Sequence, residues 1–512
     1  MIHQRKLGFT SLLSLLAALG FCAGPIARAD VRLPALFSDN MVVQQGMEVP
    51  VWGWADDGEK VSVTFRGQTV QIVAKDGKWM VKLRKVKAGG PDNLIVNGNN
   101  SVMLKNVLVG EVWICSGQSN MEFAMRSSFE SKADIDAAAN LEIRLFHVPK
   151  MKANEPKDNV NATWTACNPE TVPGFSAVGY YFAHDLQKAL RVPVGIIESD
   201  WGGSPAEVWM KQAALESNPR YKEEILDAYA KQKKGYDDAL AAFEKERDDA
   251  KQAGKPFNKR APGAPWKPTE LYNGMIAPLI PYAIKGALWY QGESNAGRAE
   301  QYRSLFADMI RNWRKDWGEG DFTFLCVQLA PYGAMKEQPG DSTWAELREA
   351  QLLSTKTLPK AGMAVITDVG DSKDIHPKKK KPVGERLALA ARGIAYGEKI
   401  EYSGPIYKSM AVKGDKATLS FDHVGGGLEA RDGELKGFAI CGNDQKWVWA
   451  KAEITGKGKN TAIVVSAAGV DHPVAVRYGW ADCPVVNLWN KDGLPASPFR
   501  TDDFPMITAA KK

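Results

Sequence analysis

The chain has 512 residues, with 66 Lys and Arg against 60 Asp and Glu, a formal charge of +6. Removing an N-terminal leader that contains Arg5, Lys6 and Arg28 brings this to +3. So small a surplus excludes partnership with nucleic acid or an anionic membrane through a basic face, and no stretch after the leader reaches the ~20 apolar residues needed to span a bilayer.

Residues 1–29 read as an export signal. Arg5 and Lys6 form a basic start, residues 12–22 an apolar centre, and Ala27-Arg28-Ala29 a cleavage site before Asp30. The mature protein is therefore expected to be periplasmic or secreted. Cys22 follows the bulky Phe21, which argues against a lipobox.

Residues 30–105 predict an N-terminal β domain, sandwich-like, with strands at 49–54, 61–65, 70–73 and 79–83 and turns at Asp57-Gly58 and Asp76-Gly77. Trp52, Trp54 and Trp79 read as core, with sugar stacking as the alternative. Residues 106–399 alternate strand and helix signals. Strands are expected at 107–115, 192–198, 284–290, 322–329 and 363–368, and a helix over 177–190. Tyr302, Leu305, Phe306, Met309, Ile310 and Trp313 fall on one face of a further helix. This pattern predicts an α/β domain with a doubly wound, mostly parallel sheet covered by helices. A charged helical insertion occupies about 210–268; it reads as a solvated hairpin, with a lid as the alternative. Residues 400–512 return to β texture, with strands at 417–421, 437–440, 447–449, 462–465 and 474–478. They form either a C-terminal β domain or half of one completed by the N-terminal segment. Five cysteines follow the leader, and Cys441 with Cys483 is the pair to test for a disulfide.

Candidate chemistry gathers just past the strand ends of the central domain, where open α/β sheets bind ligands. The first strand stops in Ser116-Gly117-Gln118-Ser119-Asn120 and presents Ser119 as a nucleophile. The competing reading makes Ser119 a helix cap, boxed with Glu122. Later strand ends lead into Trp201-Gly202-Gly203-Ser204, Tyr290-Gln291-Gly292-Glu293 and Asp371-Ser372-Lys373-Asp374-Ile375-His376. The N–H of Ser119, a backbone N–H at Gly202 or Gly203 and the carboxamide of Gln291 suit an oxyanion, and neutral His376 suits a base. With no HExxH, no paired His at ligand spacing and no Cys/His cluster, neither a metal nor another cofactor is expected.

Gly117-Gln-Ser-Asn-Met121, Trp201-Gly-Gly-Ser-Pro-Ala-Glu-Val-Trp209, Leu271-Tyr-Asn-Gly-Met-Ile-Ala-Pro278, Trp289-Tyr-Gln-Gly-Glu-Ser-Asn295 and Asp374-Ile-His-Pro377 together resemble the sialate O-acetylesterase family of the SGNH hydrolase superfamily. The resemblance implies a flavodoxin-like, three-layer α/β/α esterase domain that removes acetyl groups from O-acetylated carbohydrate without a metal. It implies Ser119 as nucleophile, His376 as base, and Gly202 or Gly203 with Gln291 in the oxyanion hole. Many SGNH enzymes carry their acid three residues before the histidine, where this chain has Lys373. Asp374 is the preferred acid, with Asp371 and a Ser–His dyad as alternatives. Asn120, Trp201, Glu293 and Arg298 are the expected substrate-binding residues. Arg298 is the candidate partner for a sialate carboxylate, while Trp201, Trp209, Trp289 and Tyr290 are candidate stacking faces. Members differ in sugar, and acetylated xylan or xyloglucan oligosaccharides are expected to serve at least as well as a sialate. A non-catalytic carbohydrate-binding protein is the rival reading. An α/β-hydrolase lipase would show G-x-S-x-G, which the Ser119 segment lacks.

Overall fold

The computed structural model describes residues 30–509, so the expected leader with its Ala27-Arg28-Ala29 site lies outside the described residues. The N-terminal strands are β1 (Val42–Gln44), β2 (Val49–Trp54), β3 (Lys60–Phe65), β4 (Gln68–Val73), β5 (Lys78–Leu83) and β6 (Gly89–Asn97), with period-two alternation clearest in β3 and β5. In β5, Trp79, Val81 and Leu83 are buried while Lys78, Met80 and Lys82 are exposed, the pattern of a sheet with one wet face. β2 pairs with β5, and β3 lies between β4 and β6. Trp52 meets Phe37 edge-on at 4.7 Å and Tyr282 at 6.4 Å, which makes it core rather than a sugar platform.

The strand that carries the nucleophile is longer than its sequence suggests. β7 (Ser101–Gly117) runs for 17 residues. Its first part pairs antiparallel with β6, and its second part runs parallel between β10 (Val194–Asp200) and β11 (Gly286–Tyr290). A division at 105/106 therefore falls inside one strand. What changes there is burial: alternation over 101–106 gives way to unbroken burial from Val107 to Gly117, because the second part is covered on both faces.

The central sheet also includes β8 (Asn140–His147), β9 (Trp164–Cys167), β12 (Thr323–Val327) and β13 (Ala361–Ala364), in the order β13-β12-β11-β7-β10-β8-β9. Only β9 runs antiparallel. Successive β7 side chains point to opposite faces. Trp113 and Cys115 share a core with helices Ala177–Leu190 and Lys381–Ile394. Val112 and Ile114 share another with helix Ala299–Trp317, whose Tyr302, Leu305, Phe306, Met309, Ile310 and Trp313 are all buried. That second core continues without a break into β2, β3 and β5 through Val51, Val63 and Val81.

In the insertion, helix Ala228–Gln252 buries no residue and carries Lys233–Asp237, Lys234–Asp238 and Lys245–Asp249 pairs along its surface, a solvated element as expected. The C-terminal strands form a four-stranded sheet over Ile406–Lys413, Lys416–Asp422, Ala462–Ser466 and Lys451–Thr455. A second sheet contains Phe438–Cys441 and Ala475–Tyr478. Both close around a core of their own that includes Leu419, Ile440, Ile463 and Tyr478. Among the described residues none of these strands pairs with β1–β6, so the two β segments keep separate sheets. The expected Cys441–Cys483 disulfide is absent: Cys441 is buried within its strand, Cys483 is half-buried in a loop, and all five described thiols are free. No helix among the described residues is long and apolar enough to cross a membrane.

Candidate active site

Register brings the site loops level with one another. Gly117 on β7 stands beside Asp200 on β10 and Tyr290 on β11, so three parallel strands end at one height and release their loops into the same space. Gly117 adopts φ 138°, and a Cβ there would lie 2.2 Å from the Tyr290 carbonyl oxygen, so the turn into Ser119 needs glycine. The Gln118 N–H then donates to Tyr290 O (3.0 Å) and the Trp201 N–H to Gly117 O (3.1 Å), which stitches the three loops together.

Ser119 opens the one-turn helix Ser119–Glu122 and is half-buried. The residue before it, Gln118, makes no side-chain capping bond, and the Glu122 carboxylate turns elsewhere, so the capping-box alternative fails. Ser119 Oγ lies 2.8 Å from His376 Nε2, joining residues 257 apart in the chain. Burial pushes the imidazole below its ordinary pKa, and the Lys380 charge adds to this against the opposing pull of Asp374 and Glu122. A neutral imidazole in contact with a hydroxyl is able to take its proton.

The acid is less regular. Asp374 Oδ1 accepts the backbone N–H of His376 at 2.9 Å and lies 3.7 Å from His376 Nδ1, beyond hydrogen-bond length. Asp371 accepts the Lys373 N–H at 2.8 Å and makes no contact with the imidazole.

Several residues expected to face substrate belong instead to the frame. Gln291 is fully buried: its Nε2 donates to Asn295 Oδ1 (2.7 Å) and Ser204 O (3.2 Å), and its Oε1 accepts from Tyr302 (2.9 Å). Its amide is thus engaged away from any oxyanion. The Gly202 N–H donates to Glu122 Oε2 at 2.7 Å, whereas the N–H groups of Ser119 and Gly203 have no partner among the described residues. Arg298 is held by Glu207 (2.6 Å) and Gln301 (2.9 Å), so its charge is already matched. Asn120 is buried and bonds Glu293 Oε1 (2.6 Å) and the Ile375 carbonyl (3.0 Å). Trp209, Trp289 and Tyr290 are wholly buried and cannot stack on a sugar. Of the four candidate faces only Trp201 is partly open.

The structure adds residues that sequence reading missed. Trp266, from the Pro-rich end of the insertion, meets Trp201 edge-on at 5.6 Å. Lys150 and Lys152 approach the Trp201 ring at 5.6 and 5.7 Å, and are paired with Glu122 (2.5 Å) and Glu270 (2.9 Å). Lys380 is fully buried and donates to Asn120 Oδ1 at 2.5 Å. Trp266 lies in the insertion, five residues before the Leu271 block and outside the strand-end loops where chemistry was sought; Lys380 was masked by a run of four lysines. Among the described residues no group of three or more His, Cys, Asp or Glu side chains could hold a metal ion.

Comparison with known proteins identifies the family. A family model described as carbohydrate esterase, sialic acid-specific acetylesterase, matches residues 109–261 and 263–392. Sialate O-acetylesterase of Rattus norvegicus is 29% identical over 553 residues, covering 98% of this chain and 98% of that protein. The Homo sapiens sialate O-acetylesterase is 27% identical over 537 residues, covering 95% and 96%. The crystal structure of a carbohydrate acetylesterase from Xanthomonas citri superposes with a TM-score of 0.80 at 39% identity, covering 93% of this chain and 100% of that one. This protein is therefore a carboxylic ester hydrolase, and the chain belongs to the sialic acid-specific acetylesterase family of carbohydrate esterases.

Proposed function

We propose that the protein hydrolyses O-acetyl esters of exported or extracellular carbohydrates through an acetyl-enzyme on Ser119. The 2.8 Å contact between Ser119 Oγ and His376 Nε2 carries this reading. His376 takes the hydroxyl proton as Ser119 attacks the acetyl carbonyl. The free N–H groups of Ser119 and Gly203 are the donors at hand for the oxyanion. The sugar oxygen leaves with the proton from His376, and water repeats the cycle on the acetyl-enzyme. Helices on both faces of the central sheet support the three-layer SGNH architecture for this domain.

Ser119→Ala tests the nucleophile: acetate release from p-nitrophenyl acetate is expected to vanish with the melting temperature unchanged. Undiminished turnover in the folded variant would remove the assignment. The leader reading is tested separately by N-terminal sequencing of the exported protein, which should begin at Asp30.

For the sugar, the expected substrate is a neutral acetylated oligosaccharide of the xylan or xyloglucan type. Arg298, Lys150 and Lys152 are each already paired with a carboxylate, which leaves these cations without a free charge for a sialate. Trp201 and Trp266 offer aromatic surface to pyranose rings. Measured kcat/KM should be at least as high on acetylated xylo-oligosaccharides as on O-acetyl sialic acid. A preference of about a hundredfold for the sialate, roughly 2.7 kcal/mol, would overturn the neutral-sugar reading while leaving the chemistry intact.

A further inference from the structure

We propose that Lys380 is a positioning residue for the reacting pair: its buried side chain holds Asn120 as a cross-tie between the serine and histidine loops. The proposal rests on the reading of Ser119 and His376 as nucleophile and base.

The cross-tie is visible atom by atom. Lys380 Nζ donates to Asn120 Oδ1, and Asn120 Nδ2 donates to both the Ile375 carbonyl and Glu293 Oε1. Asn120 directly follows Ser119, and Ile375 directly precedes His376. A single carboxamide thus spans the two loops one residue from each reacting group. Because Nδ2 faces two acceptors, Oδ1 must face Lys380, which donates an N–H to it whether charged or neutral. With Lys380 removed, that oxygen is buried without a donor and the carboxamide is held at its nitrogen alone.

The ammonium is badly placed for stability alone. It is fully buried and has one hydrogen bond among the described residues, with the rings of Phe123 and Tyr290 at 4.7 and 5.1 Å. A buried cation so thinly partnered costs the fold free energy. The charged groups acting on it are Glu293 and Asp374, and burial outweighs both, bringing its pKa down to about 7. The charged groups acting on His376 are Lys380, Asp374 and Glu122. As the pH falls through neutrality, the first proton therefore goes to Lys380, and the charge it creates opposes a proton on the imidazole. His376 stays basic to lower pH than it would beside a neutral side chain.

The test compares Lys380→Met and Lys380→Arg with the unsubstituted protein, reading kcat/KM on p-nitrophenyl acetate against pH and the His376 titration by NMR in histidine-labelled protein. In Lys380→Met the His376 midpoint and the acid limb of kcat/KM should both move to higher pH, while Lys380→Arg keeps both in place. At pH 8.5, where charge has no part, Lys380→Met should still lose about ten- to a hundredfold in kcat with KM little changed, the cost of a misplaced pair. An unmoved His376 midpoint, or an unchanged kcat at pH 8.5, overturns the proposal. If the Met variant does not fold, the unsubstituted protein decides: a His376 midpoint at or above the ordinary imidazole range, or a Lys380 ammonium that titrates like a surface lysine, overturns it. An acid limb that fails to follow the His376 midpoint in the unsubstituted protein would instead refute His376 as the base, and leaves the effect of Lys380 on that midpoint to be judged directly.

Discussion

At the scale of single residues, the orientation of His376 comes more from its backbone than from its ring. Asp374 holds the His376 N–H and stands 3.7 Å from Nδ1, so its carboxylate acts mainly on loop shape and only at a distance on the imidazolium. Asp374→Asn keeps an acceptor for that N–H and is expected to lose ~10- to 100-fold in kcat, well short of the ~10⁴ that follows removal of a directly bonded triad acid. Asp371→Asn, which changes only a bond to Lys373, should stay near the unsubstituted rate; steady-state kinetics on the two variants check this, and a larger loss at Asp371 would reverse the assignment. The pairing of Ser119 with His376 at 2.8 Å was foreseeable because both follow strand ends of the one central sheet. Gln291 and Arg298 were misread for one shared reason: residue type says what a group is able to donate, but not whether Asn295, Ser204 or Glu207 already receives it. Lys380 was invisible because its neighbours Lys378, Lys379 and Lys381 are exposed, and a charge run reads as solvated throughout.

Among the elements, the end of β7 sets the precision of the site. At Gly117 any side chain would both force a strained φ and strike the Tyr290 carbonyl. Gly117→Ala is expected to destabilise the protein by about 3 kcal/mol or more. Gly203 also has positive φ (75°) but faces open space, so Gly203→Ala should cost only about 1 kcal/mol. Urea unfolding of the two variants measures the difference, and equal losses would mean that the close approach to Tyr290 is not what demands glycine. The strands buried on both faces, β7, β10, β11 and β12, were readable from apolar runs. β8 and β9 were not: Leu141 and Glu142 of β8 are exposed, and β9 at the sheet edge offers only Trp164 and Cys167 as buried positions. β9 is the edge strand and β8 lies next to it, and so near the margin of the sheet the buried run is too short to recognise.

Across the whole molecule, the two β segments are attached by different means. The N-terminal strands share a continuous apolar core with the central sheet, whereas a polar clamp helps hold the C-terminal strands. Buried Arg348 donates to the carbonyls of Leu329, Ala330, Ala481 and Asp482 at 2.7 to 3.0 Å. Arg348→Met would leave four carbonyls without this donor, a loss of several kcal/mol, and calorimetry should then show the C-terminal strands melting in a separate, earlier transition. A single unchanged transition would mean that other contacts carry the junction. Composition located the three textures of the chain but not these joints, since a core shared between segments leaves no mark at the border. The 17-residue β7 makes the point most sharply, with residues 101–109 paired to β6 and residues 111–117 to β10. Any gene fragment cut at the apparent border would sever a strand that both parts need. Each recombinant half would be born with a raw sheet edge open to aggregation, so this esterase and its amino-terminal appendage form one inheritable unit that shuffling cannot separate.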